Sequence, residues 1–362
     1  MKSRKTYVAM LLVIVLVVLM VGLSSCAKGT DAKQDTGKQG SSQEKVYEFI
    51  LTCQDPATSH TANFINDWAA KITEESGGRI KFVMYYGGSL GSISEVVDMV
   101  LNHNADICWT GSGMGANAGR FPYTDVIALP IPGVELNSIQ MGNIMWHLYS
   151  TFPEIQAEWS DFYVIECSAN ASIPFPTAKK QINSPSDFNG LRMRATVAPM
   201  VSYIKALGCV PMGILLPDTF ENLEKNVIDG CCNDWTVLLS YGLWDVLDYV
   251  LDYPIAFTNQ TMIMNIDAYN SLPDDLKAIM DANSGEYASL MAAKYFEEAA
   301  NRGKEQALVE NITIYKPNAD VKLAMDAAAE VAIQEWIEVM DGKGLDGEKI
   351  IAAFYDAIEL YS

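Results

Sequence analysis

Positive charge and histidine are both scarce in this sequence. Its 362 residues include 25 lysines and arginines against 45 aspartates and glutamates, which gives a formal net charge of −20. This balance argues against nucleic-acid binding, whose main energy term is cationic neutralisation of phosphates, and against docking of the folded surface on anionic lipid. The three histidines, His60, His103 and His147, lie too far apart in sequence to form a short-spaced metal motif.

Cysteine spacing and catalytic motifs also offer little. The seven cysteines show no CxxC pair, and the sequence has no nucleophile elbow, Walker loop or HExxH run. The adjacent Cys231 and Cys232 are predicted to be two buried free thiols, because a disulfide between neighbours closes a strained ring. The sequence therefore predicts a protein that is not an enzyme and has no metal or cofactor.

The N-terminal segment has the pattern of an export signal. Lys2, Arg4 and Lys5 precede an apolar run of 16 residues from Val8 to Leu23, shorter than the roughly 20 needed to span a bilayer. The run ends in Leu-Ser-Ser-Cys, which resembles a bacterial lipobox with Cys26 as the lipidated residue. We therefore predict a signal peptide over 1–25, a flexible polar tether over 26–45, and an exported domain held to a membrane by lipid alone, in the periplasm or on the outer cell surface.

Beyond the tether, strands and helices alternate. Strands are predicted at Tyr47 to Thr52, Ile80 to Tyr86 and Ala105 to Thr110, with helices between them, which indicates a mostly parallel sheet covered by helices. A second unit of this kind is predicted to begin near Phe162. From Pro273 onward the pattern is mainly helical.

A series of short motifs follows in a fixed order along this part of the chain. They are Gly88-Ser-Leu-Gly91, Ala105-Asp-Ile107, Phe121-Pro122, Leu129-Pro130, Ser184-Pro-Ser-Asp-Phe-Asn-Gly-Leu-Arg-Met-Arg194 and Asn222-Leu-Glu-Lys-Asn-Val-Ile-Asp-Gly230. Their order and spacing resemble the DctP-type solute-binding proteins of tripartite ATP-independent periplasmic (TRAP) transporters. The resemblance covers roughly residues 47–276.

This resemblance implies a two-lobed α/β fold of the periplasmic-binding-protein type II kind, with a hinged cleft and a helical C-terminal wrap. The expected boundaries are 46–170 plus about 255–300 for lobe 1, and 171–254 plus about 301–362 for lobe 2. The implied ligand is a small organic acid, which the protein delivers to the membrane subunits of a secondary transporter driven by an ion gradient. Closure of the lobes around the ligand is the implied mechanism.

The implied binding residues lie mostly in the second lobe. Arg194 matches the family's signature arginine, whose planar guanidinium can pair with both oxygens of a carboxylate. Asn233 matches a position that hydrogen-bonds the same carboxylate. Trp235 is expected beside it by strand alternation, and Trp109 and Leu216 are further candidates for the cleft wall. Arg192 does not match the signature position and is expected to be solvated or paired structurally.

Departures from the family pattern narrow the class of ligand that we expect. Sialic-acid-binding members have Glu and Arg near the stretch occupied here by Gly111 to Met114, and a second arginine where this chain has Pro174 and Phe175. Val197 is another expected cleft position. With one arginine and apolar walls, a carboxylate with an apolar or aromatic body fits better than a sugar acid or a dicarboxylate, although the loop from Gln54 to His60 could add polar contacts.

Other functions remain open at this point. A binding protein of this kind can also serve an ATP-driven importer or a sensor kinase, and the sequence of the exported domain barely distinguishes these partners. An extracytoplasmic enzyme on the same architecture is disfavoured by the lack of a nucleophile–base pair. A structural lipoprotein would show no cleft.

Overall fold

The structure is a computed structural model that describes residues 45–114, 117 and 119–362. The predicted signal peptide, Cys26 and all but the last residue of the predicted tether lie outside these residues. The strands are β1 (Tyr47–Thr52), β2 (Ile80–Tyr85), β3 (Ile107–Thr110), β4 (Phe162–Ala169), β5 (Phe175–Thr177), β6 (Arg192–Arg194), β7 (Val210–Met212), β8 (Gly230–Cys231), β9 (Tyr249–Leu251), β10 (Asn259–Asn265) and β11 (Thr313–Tyr315).

Helices fill most of the chain between and after these strands. They are α1 (His60–Glu75), α2 (Val96–Leu101), α3 (Ser138–Thr151), α4 (Pro153–Glu158), α5 (Ala198–Ala206), α6 (Thr219–Glu224), α7 (Trp235–Ser240), α8 (Ile266–Asn270), α9 (Asp274–Ala282), α10 (Glu286–Val309), α11 (Ala319–Gly342) and α12 (Gly347–Tyr361). Short 3₁₀ helices span Thr124–Ala128, Pro185–Phe188, Leu216–Asp218 and Leu243–Val246.

The helix α1 shows how local sequence sets these boundaries. The Ser59 side chain accepts a hydrogen bond from the Ala62 N–H at 3.0 Å, which satisfies one of the unpaired donors at the helix start. Phe64 and Trp68, one turn apart, are fully buried on its inner face. The chain leaves the helix through Gly77, whose φ of 62° is costly for other residues.

Ser92 and Glu95 have the S-x-x-E spacing of a capping box, and half of that motif is present. The Glu95 carboxylate accepts from the Ser92 N–H at 2.9 Å and from the Ser92 hydroxyl at 2.6 Å. The hydroxyl therefore donates to the carboxylate instead of accepting from the helix backbone. The helix α2 begins one residue later, at Val96.

The first sheet has the strand order β2-β1-β3-β10-β4. The strands β2, β1 and β3 are parallel, as the alternating pattern predicted, but β10 runs antiparallel to both β3 and β4. Four of the five strands therefore run in the same direction, which agrees with the prediction of a mostly parallel sheet, and β10 is the exception. The sequence pattern did not predict this exception, because β10 returns from far along the chain and inserts between strands that local periodicity cannot relate to it.

The second sheet has the order β11-β9-β5-β8-β6-β7 and is also mixed. The strand β4, with which a second unit was expected to begin, instead pairs with β10 at the edge of the first sheet. The last helix, α12, buries Ile350 and Phe354 in the core that surrounds α3, on the first-sheet side. The predicted lobe boundaries, which group residues 301–362 with the second lobe, differ from this packing and otherwise stay a prediction.

Two chain segments, residues 170–173 and 255–258, cross side by side between the sheets, and we call them the crossing segments. The Asn170 N–H donates to the Thr258 carbonyl at 3.1 Å, and the Ile173 N–H donates to the Ala256 carbonyl at 3.0 Å. The Ile255 N–H returns a bond to the Ile173 carbonyl at 2.9 Å. The two segments pair in antiparallel fashion, so the residues that flank them lie next to both sheets. Within the described ranges, no helix is long and apolar enough to span a membrane.

Candidate functional site

A cavity of about 890 Å³ lies between the two sheets. The first sheet contributes Gln54 after β1 and Gln260 on β10. The second contributes residues at or just after the ends of β6 and β8, including Arg194 and Asn233. Asn170 lines it from the crossing segments. The carboxyl ends of strands in two facing α/β layers are the usual place for ligands, because loops there diverge and leave a crevice.

Arg194 ends the strand β6 and reaches into this cavity. The residue is only 7% exposed, and within the described part of the chain it forms no ion pair with a carboxylate. The Nε–H donates to the Ile214 carbonyl at 3.0 Å, and the Nη1 atom donates to the Asn233 Oδ1 at 3.3 Å. Burial lowers the pKa of the guanidinium from its ordinary value, yet arginine remains charged in proteins.

These bonds leave donors for a ligand. A guanidinium carries five N–H groups, and the two bonds described commit one on Nε and one on Nη1. The remaining donors lie at the end of the planar group, which is the arrangement that binds a carboxylate through two parallel bonds. The Oδ1 atom of Asn233 accepts the hydrogen bond from Arg194, so the Nδ2 donors of the same amide remain for other partners.

Arg192, two residues earlier on the same strand, is held differently. Its Nε–H and Nη2–H donate to the two Asp229 carboxylate oxygens at 2.9 and 2.7 Å. This two-point pair confirms the expectation of a structural partner.

A buried hydrogen-bond network joins the cavity floor to the crossing segments. The Asn170 Nδ2 donates to one Asp234 oxygen at 2.6 Å, and the other oxygen accepts from the Thr236 N–H at 2.8 Å, at the start of α7. The Asn170 Oδ1 accepts from the Thr258 N–H at 2.8 Å. Burial raises the pKa of the Asp234 carboxyl, while these donors oppose the rise.

The walls around Arg194 are largely apolar. Leu216 lines the cavity at the start of a 3₁₀ helix, and Val197 lines it just after β6, both as expected. The other apolar side chains of the lining include Ile93, Met114, Ile173, Val201, Leu215 and Val237. Phe175 lies instead in the core of the second sheet, 1% exposed.

Neither candidate tryptophan reaches the cavity. Trp109 is 2% exposed and packs edge-on against Phe64 and Phe296, because side chains on a strand stand perpendicular to the sheet and β3 points this one at the core. Trp235 is the first residue of α7, so the strand alternation used to place it does not apply. Its ring packs against Trp244 in the core, with the two centroids 5.9 Å apart.

The structure adds two charged residues that sequence reasoning missed. Asp234 lines the cavity, and its place before Trp-Thr-Val was a readable helix-start signal. Lys205, on α5, also lines the cavity, so the expectation of a single cation in the cleft is wrong. Nothing in its sequence context marked it, because the direction of a helical side chain depends on how the helix packs.

The cysteines in the described ranges are buried thiols. Cys231 and Cys232 are both free, as are Cys53, Cys108, Cys167 and Cys209. Burial raises the pKa of the Cys231 thiol to about 12, so it stays protonated at neutral pH. In the parts of the chain that the structure describes, no cluster of three or more His, Cys, Asp or Glu side chains is arranged to hold a metal ion.

Comparison with known proteins assigns the class. Residues 53–339 match the family described as bacterial extracellular solute-binding protein, family 7, also named DctP. This match extends over most of the chain, and the protein therefore belongs to that family.

Characterised relatives agree with this assignment. A solute-binding protein of Verminephrobacter eiseniae is 24% identical over 264 residues, covering 70% of this chain and 76% of the relative. The C4-dicarboxylate-binding protein DctB of Bacillus subtilis is 23% identical over 254 residues, covering 69% and 70%.

Solved structures confirm the two-sheet architecture. A TRAP solute-binding protein from a marine metagenome, specific for aromatic acid ligands and bound to metahydroxyphenylacetate, superposes with a TM-score of 0.82 at 26% identity, covering 87% of this chain and 99% of that one. A TRAP solute-binding protein of Rhodoferax ferrireducens with copurified benzoate gives a TM-score of 0.81 at 27% identity, covering 87% and 98%.

Proposed function

We propose that this protein captures a small organic acid outside the cytoplasm and delivers it to a TRAP-type secondary transporter, with Arg194 clamping the ligand carboxylate. The observation that carries the proposal is the uncompensated guanidinium. A buried cation without a carboxylate partner is costly unless an anion joins it, and Arg194 has uncommitted donors at a cavity wall.

The apolar part of the lining supports the proposed ligand class. Apolar side chains on both sides of the cavity favour a carboxylate with an apolar or aromatic body, because they remove its surface from water while the arginine fixes its head. The two structural relatives that bind an aromatic acid support this choice. The relative named for C4-dicarboxylates supplies the competing class.

The experiment is a thermal-shift screen of the domain after unfolding and refolding to remove carried-over ligand. The acids are benzoate, 3-hydroxybenzoate, mandelate, succinate and glucuronate. An acid at about 100 times its Kd adds roughly 2.7 kcal/mol to the free energy of unfolding. We expect stabilisation by the aromatic acids, whereas stabilisation by succinate or glucuronate alone would contradict the proposed ligand class.

Arg194→Ala tests the clamp. The variant should bind the same acid about 100-fold more weakly by calorimetry, because it loses two charge-assisted hydrogen bonds. Arg192→Ala is the matched control and should keep the wild-type Kd, since its guanidinium is already paired with Asp229. Equal affinity of Arg194→Ala and wild type would rule out the clamp.

The proposal includes a lipid anchor at Cys26, supported by the lipobox-like sequence before it. Cells that express the full chain should incorporate labelled fatty acid into it and retain it in the membrane fraction. Cys26→Ser should lose the label and release the protein. Unchanged labelling of the variant would contradict the anchor.

A further inference from the structure

The cavity contains a second cation whose place differs from that of Arg194. Lys205 lies in the last turn of α5, one turn after Val201, and both side chains line the cavity. It is exposed where Arg194 is buried. Among the described residues, the Lys205 ammonium has no ion pair or side-chain hydrogen bond, so its charge is not committed to a structural partner.

The charge of the cavity lining depends on this residue. Among the described residues, the lining has two basic side chains, those of Arg194 and Lys205, against one carboxyl group, that of Asp234. Lys205 is the exposed one of the two basic residues, in a chain whose formal charge is −20. Without Lys205, an anion approaching the cleft would meet mainly the repulsion of the acidic surface.

We propose that Lys205 is the residue that draws the anionic ligand into the cleft, setting the association rate while Arg194 holds the bound carboxylate. This inference rests on the proposed function, since it requires an anionic ligand. The two roles follow from the exposure of the two residues. A solvated charge at the rim of a site changes mainly the association rate, whereas a buried, hydrogen-bonded partner changes the dissociation rate.

The experiment measures association and dissociation rates of benzoate by stopped-flow fluorescence for wild type, Lys205→Met and Lys205→Glu. Lys294→Met and Lys294→Glu are the matched controls, because Lys294 is an exposed lysine on α10 away from the cavity lining and each change alters the net charge equally. At about 0.01 M ionic strength, each unit of charge removed should slow association about two- to threefold, so Lys205→Glu should be about fivefold slower.

The dissociation rate should stay within about twofold of wild type, and the difference in association should disappear near 1 M salt, where the Debye length is about 3 Å. The Lys294 variants should resemble wild type. Equal association rates for Lys205→Glu and Lys294→Glu would overturn the inference. So would an unchanged association rate with faster dissociation, which would make Lys205 a direct ligand contact.

The two proposals fail in different ways. A wild-type protein that binds no aromatic carboxylate contradicts the ligand class of the proposed function. A wild-type protein that binds benzoate, with both charge reversals behaving alike, contradicts only the role of Lys205.

Discussion

Arg192 and Arg194 stand two residues apart on one short strand, yet their surroundings differ in charge. Arg192 is partly exposed, with 40% of its side chain accessible, and binds both oxygens of Asp229. Arg194 is buried, and among the described residues its hydrogen-bond partners are a backbone carbonyl and an amide oxygen. The same kind of side chain is thus paired with a carboxylate at one position and with two neutral acceptors at the other.

The difference teaches what separates these two arginines. Both residues are positively charged, and alternation puts both on the same side of β6, so neither charge nor strand position distinguishes them. What differs is whether a carboxylate of the protein already occupies the end of the guanidinium. At Arg194 the neighbouring positions supply neutral Asn233 where Arg192 has acidic Asp229.

The largest expected effect comes from Asn233→Asp, which would give Arg194 the kind of partner that Arg192 has. The new carboxylate should pair with the guanidinium and repel the ligand, lowering the affinity for an aromatic carboxylate at least about 100-fold. Calorimetry on the refolded domain measures the change, and an unchanged melting temperature would show that the fold is kept.

Asn233→Ala is the control for that substitution. It removes one neutral hydrogen-bonding side chain and should weaken binding about tenfold. Equal losses of affinity in the alanine and aspartate variants would mean that the amide itself matters and that the added charge does not. That result would contradict the comparison with Arg192.

The smallest expected effect concerns Arg192→Met and pH. The Arg192 hydrogen bonds hold the pKa of Asp229 below its ordinary value. A lowered folded-state pKa contributes stability above the unfolded-state pKa of about 3.9, and that contribution is lost as the pH falls through the folded-state value. Arg192→Met should therefore be slightly less stable than wild type at pH 7, and the gap should narrow below about pH 4.

Arg194→Met sharpens this last test. In the ligand-free protein it should not show the same loss, because the buried guanidinium has no carboxylate to stabilise it and carries a desolvation cost. Chemical unfolding of both variants at pH 7 and pH 3 measures the difference. A larger destabilisation by Arg194→Met, with the same pH dependence, would indicate an ion pair that the structure does not contain.

Much of the fold was predictable from local pattern. The strands β1 and β2 were predicted within one residue of their observed bounds, and a helix was predicted between them, where α1 lies. These features depend on interactions within a few residues, so the sequence carries them directly. Arg194 and Leu216 were placed by family resemblance, and both line the cavity.

The positions that failed were those that depend on distant partners. Trp235 was assigned by alternation, but Asp234 caps a helix there and turns the indole into the core. Trp109 was assigned by its place at a strand end, but Phe64 and Phe296 pack around it. An aromatic side chain fits a pocket or a core equally well by sequence, and its neighbours decide which.

The sequence by itself determined the net negative charge, the alternation of strands and helices, and the position of Arg194 next to an apolar stretch. Only the tertiary structure decided that β10 enters the first sheet antiparallel, that Asn170 bonds Asp234 beneath the cavity, and that Lys205 shares the lining with Arg194. The physical reason is range: periodicity and capping act over one or two turns, whereas these contacts join residues that meet only after the sheets have formed.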